Sequence, residues 1–296
     1  MDLLGGSPTA QLTQDAPSSP RLGLALGGGA ELGLAHIGVL RVLEHEGLAP
    51  ACLAGTSVGA LVGAFYAAGS SIAKMRRLGL RMNWRTVQRM TLPVLALSTN
   101  EPLRTFLTAM LPVRDFDALR MPLRLVTTDL LTAEMVVFQG GRGLTSRGLI
   151  REPDIIFASG DLVEAVRASC ARPVINRPVR IGDRLLVDGC LTNNVPANLV
   201  RDMGADVTLA VDLQRQRPKP KPPGNIVAYA ALVQSVNVYW AIKRRRVAAD
   251  VVIRPDFTGI QTGGFSEAET IMAAGERAAL EALPRIRDAL GRVAST

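Results

Sequence analysis

A serine stands between two glycines in Gly55-Thr56-Ser57-Val58-Gly59, after the short apolar run Ala51 to Ala54 and before the small residues Ala60 to Ala68. G-x-S-x-G between a strand and a helix is the setting in which a serine hydroxyl is exposed on a strained turn. Gly55 and Gly59 let the two backbones approach, and a helix start favours negative charge developing at Ser57. A hydroxyl is a poor nucleophile until a neighbouring base takes its proton. The two histidines, His36 and His45, both precede Ser57, so the order serine, acid, histidine of the α/β-hydrolase triad cannot be met. His36 reads as a packed or capping helix residue and His45 as a solvent-facing one. The base is therefore expected to be a carboxylate. Asp188 in Leu185-Leu186-Val187-Asp188-Gly189-Cys190 is the best placed, since a charge ending an apolar strand is costly for structure alone; the alternative is an ordinary turn aspartate.

Acyl transfer also needs donors for an oxyanion, and successive backbone N–H groups in a glycine turn at a helix start supply them. Gly27, Gly28 and Gly29 fit that role. The same cluster could cradle a nucleotide phosphate, but no G-K-[ST] follows and Ala30 breaks G-x-G-x-x-G.

These residues must be positioned by strands alternating with helices. Arg21 to Leu26 reads as a strand, Leu34 to Leu48 as a helix, and the serine turn repeats the unit. Leu123 to Thr128 and Met135 to Phe138 read as strands, Leu162 to Ser169 as a helix, and Val179 to Val187 as a hairpin bent at Gly182-Asp183. Asn194 to Met203 looks helical, Asp206 to Val211 and Val251 to Arg254 are strands, and helices are expected at Ile226 to Ala249 and Ser266 to Leu290. The alternation implies a largely parallel sheet between helical layers.

The 296 residues, 48% hydrophobic and 20% charged, are enough for one large domain, expected over residues 21–296 after a tail at 1–20. The basic, proline-rich stretch 215–223 (RQRPKPKPP) is expected to be a surface loop. Three scattered cysteines suit neither a disulfide framework nor a metal site and point to a reducing compartment. The first twenty residues do not resemble a secretory signal, and no run of about 18 uninterrupted apolar residues argues for a span. The net charge of +8 favours anionic partners or serves solubility. Lys243 to Arg246 and the basic loop, with Tyr239 and Trp240 nearby, leave two readings open: contact with an anionic membrane, or a solvated helix face and a core-facing aromatic pair.

Three segments in order, LALGGGAELGLAHIGVL, AGTSVGALVGAFYAAG and LLVDGCLTNNVPANLVRDMGADVTLAVDL, resemble the patatin-like phospholipase family, especially its small bacterial members. The resemblance runs from Arg21 to Leu290. It implies a three-layer α/β sandwich, a Ser57/Asp188 dyad without histidine, and an oxyanion hole from Gly27, Gly28 and Gly29. It also implies lipid acyl-ester substrates, no metal or organic cofactor, no nucleic-acid partner, and a cytoplasmic setting, peripheral to the inner membrane face if the basic cluster meets lipid. The oligomeric state is not implied. The chain departs from the family pattern at Ala30, where a fourth glycine is usual, at Leu32, where an Arg or Lys is usual, and at Cys190. Ser169 to Asn176 also lacks the usual glycine and aromatic. These departures set an active hydrolase beside a second expectation, a catalytically weakened lipid-binding or scaffold protein on the same fold.

Overall fold

The structure, a computed structural model, describes residues 20–91, 96–141, 146–149, 155–213, 222–244, 247–260 and 264–295. The expected tail and most of the basic loop lie outside these residues, as do Arg245 and Arg246. In chain order the elements are β1 (Leu22–Leu26), α1 (Ala35–His45), β2 (Cys52–Thr56), α2 (Val58–Ala67), α3 (Ile72–Arg81), α4 (Trp84–Val87), β3 (Arg89–Met90), β4 (Ser98–Thr99), α5 (Glu101–Met110), β5 (Leu123–Asp129), β6 (Met135–Phe138) and β7 (Ile155–Ala158). They continue with α6 (Leu162–Ser169), β8 (Val179–Ile181), β9 (Arg184–Asp188), α7 (Ala197–Asp202), β10 (Val207–Val211), α8 (Ile226–Arg244), β11 (Val251–Ile253) and α9 (Ala268–Ala294).

Side chains alternate across a strand, so a buried strand must feed two cores. In β1, Leu22, Leu24 and Leu26 join the larger core with residues of α1, α2, α6 and α9, while Ala25 turns to a smaller core filled by Leu199, Val200 and Met203 from the α7 region. The result is a three-layer α/β sandwich around a mostly parallel sheet of order β11-β10-β1-β2-β5-β6-β7, with β9 also on β5 and β8 on β9. A buried ion pair, Arg124 to Asp202 at 2.7 Å, ties β5 to α7.

The pairing at β5 positions the site. One edge of this strand carries β6. The other edge carries β2 in parallel, from Leu53 opposite Leu123 to Thr56 opposite Val126. The same edge then carries β9 antiparallel, with Asp188 opposite Thr127 and Leu186 opposite Asp129. Two strands of opposite direction sharing one edge run head-on, so their C-terminal ends meet beside Val126 and Thr127.

Residues 70–122 hold elements beyond those expected from the sequence. Helices α3 and α5 are short and amphipathic, burying only Met75 and Gly79, and Leu103 and Leu107; with α4 they roof the end of the sheet near Ser57. Helix α8 departs differently from expectation. No residue of its Ile226–Lys243 window is buried, yet that 18-residue window has mean hydropathy 1.2, long and apolar enough by length and composition to cross a bilayer. Gln234, Ser235 and Asn237 interrupt the apolar run, which is why a search for uninterrupted apolar residues passes over it.

Helices α1 and α9 cross in backbone contact. A Cβ on Gly38 would lie 2.0 Å from the Met272 carbonyl oxygen, and one on Gly275 would lie 2.0 Å from that of Ala35. Helix axes that close leave no room for a side chain. Gly275→Val should therefore cost roughly 3 kcal/mol by overpacking, read as a lower urea midpoint; an unchanged midpoint would show that the crossing can open without penalty.

Candidate active site

Ser57 sits between β2 and α2 with φ 56° and ψ −124°, a conformation that a side chain adopts only under constraint. The constraint comes from all sides. Its N–H donates to Ser169 Oγ at 2.8 Å, and the Ser169 hydroxyl donates to the Val126 carbonyl oxygen at 2.7 Å. The neighbouring Thr56 hydroxyl donates to the Asn193 carbonyl oxygen at 2.7 Å. A Cβ on Gly59 would stand 2.1 Å from the Leu26 oxygen, and one on Gly55 2.5 Å from that of Gly59. The helix is thus pressed onto the strand ends, turning the serine out at the tip.

Asp188 ends β9, 1% exposed. Its N–H donates to the Ala171 carbonyl oxygen at 2.9 Å, and its Oδ1 accepts the Cys190 N–H at 2.9 Å. The Ser57 and Cys190 side chains lie beside this carboxyl and act on its proton affinity. Burial holds this carboxyl above the ordinary aspartate range; the neighbouring Ser57 hydroxyl, the Cys190 N–H and the charge of Arg172 oppose that rise. Gly189 follows because a Cβ there would meet the Val126 carbonyl oxygen at 2.4 Å.

The glycine turn backs onto the serine: a Cβ on Gly28 would lie 3.2 Å from Ser57 Cβ. Its amides are not equivalent, which corrects the reading of Gly27, Gly28 and Gly29 as one donor set. Gly27 N–H extends the β1–β10 ladder to the Val211 oxygen, and Gly28 N–H donates to the Asn194 oxygen, both at 3.1 Å. Gly29 N–H has no acceptor among the described residues. His36, fully buried, donates from Nε2 to the Gly27 carbonyl oxygen at 2.8 Å. Burial lowers its pKa to about 4, so it stays a neutral donor that fixes the turn and stands apart from the serine.

Two departures from the family pattern carry visible strain. Ala30 has φ 51° and Val174 has φ 67°, left-handed conformations that cost a side chain about 1–2 kcal/mol. Ala30 stands where the pattern calls for a glycine, and Val174 lies in the segment that lacks the usual glycine, so at Ala30 the backbone keeps the glycine shape without the glycine. Leu32 is buried in the larger core and brings no charge to the site.

A cation arrives from elsewhere. Arg172, on the loop after α6, lines the same cleft as Ser57, together with Glu31 and Asn176. Its guanidinium lies 5.5 Å from the Trp84 ring centroid and donates to Gln88 Oε1 at 3.3 Å. The rest of the cleft is apolar, walled by Leu61, Phe65, Met75, Phe106 and Phe265 among others. Ser169 and Arg172 escape sequence reasoning because neither periodicity nor a motif marks them; Arg172 before Pro173 in the departing segment was the available signal. Among the described residues no group of three or more His, Cys, Asp or Glu is placed to hold a metal ion.

Comparison with known proteins places these features in context. A family model described as patatin-like phospholipase matches residues 24–201. An uncharacterized NTE family protein of Mycobacterium tuberculosis is 32% identical over 217 residues, covering 71% of this chain and 54% of its own length. The chain therefore spans about half of that relative. Patatin-like phospholipase domain-containing protein 6 of Homo sapiens is 28% identical over 252 residues, 81% of this chain and 16% of its own. The crystal structure of VipD from Legionella pneumophila shares the fold, with a TM-score of 0.51, 13% identity, and coverage of 91% of this chain and 67% of that one.

The support under the serine can be tested directly. Ser169→Ala leaves the Ser57 N–H and the Val126 carbonyl without their partner, which should cost about 1–3 kcal/mol in urea unfolding. Ester turnover, if present, should lose more in kcat than in KM, because the serine turn relaxes. Wild-type stability and kcat in this variant would remove Ser169 as the strut.

Proposed function

The chain belongs to the patatin-like phospholipase family, and from that premise we propose that it is a serine lipid acyl hydrolase using Ser57 as nucleophile and Asp188 as base. The observation that carries the reading is the convergence of β2 and β9 on one edge of β5, Thr56 opposite Val126 and Asp188 opposite Thr127, which brings Ser57 beside the buried Asp188.

In this mechanism Asp188 takes the hydroxyl proton as Ser57 Oγ attacks the acyl carbonyl. The oxyanion rests on N–H groups beside the serine. Gly29 N–H and the amides opening α2 supply them, while Gly27 and Gly28 shape the turn. Collapse breaks the bond to the alcohol, which leaves with the proton from Asp188. Water then gives a proton to Asp188, attacks the acyl-serine and releases the fatty acid, and the proton returns to Ser57. The apolar cleft suits an acyl chain, and Arg172 offers a positive charge at its polar end.

The strain at Ala30 and Val174 and the burial of Leu32 favour a second reading, in which the fold binds lipid and turns it over weakly. One comparison separates the two. With p-nitrophenyl esters of medium chain length, Ser57→Ala and Asp188→Asn should each lower kcat/KM by at least about a thousandfold. Turnover that does not depend on either residue would end the hydrolase reading and leave the binding one.

The pH profile is a further check. A base must be ionised, and burial raises the pKa of Asp188, so activity should be lost as pH falls through a value above the usual carboxylate range. The Arg172 charge opposes the rise, so Arg172→Gln should move this acid limb to still higher pH. A limb at the ordinary aspartate position, indifferent to Arg172, would contradict the assignment.

A further inference from the structure

A helix that crosses between neighbouring parallel strands normally buries one face on the sheet. Helix α8 connects β10 to β11, which are hydrogen-bonded neighbours, yet it buries no residue over Ile226–Lys243. Those of its large apolar side chains that are exposed form one stripe: Ile226 at 76%, Tyr229 at 55%, Val233 at 42%, Val236 at 44% and Trp240 at 40%. The spacing is three, then four, then three, then four residues, which places all five along one side of a helix. At its C-terminal end, Lys243 lies 5.5 Å from the Tyr239 ring and 5.6 Å from the Trp240 ring.

We propose that this stripe is a docking surface that seats the protein on an anionic lipid bilayer. The helix contains no acidic residue, its aromatic pair and cation share one end, and the basic stretch 215–223 precedes it in a chain of net charge +8. An apolar face with aromatic residues beside cations is the composition that settles at the boundary of headgroups and acyl chains, and anionic lipid adds attraction for each cation. A second copy of the helix would bring the same cations and no acid to pair with them. Crossing the bilayer is excluded by the flanks: Leu213 and Val247 both pack on the cores beside the sheet, so a crossing α8 would require the charged, proline-rich 215–223 to pass back through the hydrocarbon. The helix lies on the membrane instead. Its C-terminal part rests on the turn Gly189–Leu191, directly after Asp188, so the docking helix packs beside the strand end that carries the candidate base.

The proposal rests on the lipid reading of the site but is measured apart from it. The full chain should co-sediment with phosphatidylglycerol/phosphatidylcholine vesicles and much less with phosphatidylcholine alone. Val233→Glu combined with Val236→Glu, both at exposed positions, should lower the partition coefficient at least tenfold with an unchanged circular dichroism spectrum, and Lys243→Glu should lower it roughly fivefold. Hydrolysis of a soluble monomeric ester by the double variant should match wild type, and Ser57→Ala should pellet as wild type does. Catalysis can thus fail while docking stands, and the reverse. Wild type that ignores anionic vesicles, a double variant that pellets undiminished, or a dimer in sedimentation velocity that the double variant dissolves would each overturn the proposal.

Discussion

The fold turns on two strands that share one edge of a third. Because β2 and β9 run toward each other along β5, the residues at their ends are forced together although 131 positions separate Ser57 from Asp188 (188 − 57). Backbone hydrogen bonds with fixed spacing do this work, so the nearness of Ser57 and Asp188 does not depend on long, adjustable side chains. A slip of one residue in either strand would turn the side chain at its end to the opposite face. The glycines at 55, 59 and 189 are the steric counterpart of that convergence, since each presents bare backbone where another carbonyl already lies.

Much of this was legible in the sequence. The strand, turn and helix around Ser57, the β8–β9 hairpin, and the strands at 123–129, 135–138 and 207–211 are marked by apolar runs ending at glycines or polar turns. The fold class follows from their alternation. What was not legible has physical causes. Helices α3 and α5 are amphipathic but only ten residues long with two buried residues each, α4 is a single turn that buries none, and β7 is a four-residue strand of only partly buried residues. That Gly27 and Gly28 spend their amides inside the fold is decided by where Val211 and Asn194 fall, which no local rule reports. Arg172 acts on the site through space from a loop, while the position where a cation was sought holds a buried leucine.

Ala30 and Val174 show a fold holding its shape against side-chain preference. Each keeps a left-handed backbone without glycine's freedom, and each borders the cleft or the loop that carries Arg172. Strain of this kind persists only where surrounding packing outweighs it.

The glycine crossing of α1 and α9 bears on how the protein reaches this state. Arg41 and Glu276, which pair across the same two helices at 2.7 Å, are 235 positions apart. Helix α1 carries His36, which bonds the glycine turn, so the segment that shapes the site acquires its glycine-mediated partner α9 only after more than two hundred further residues have been made. Contacts of such long sequence separation slow the search for the native topology. A nascent chain lacking α9 would expose the α9-facing side of α1 until that helix is made, a period in which chaperone capture and aggregation compete with folding.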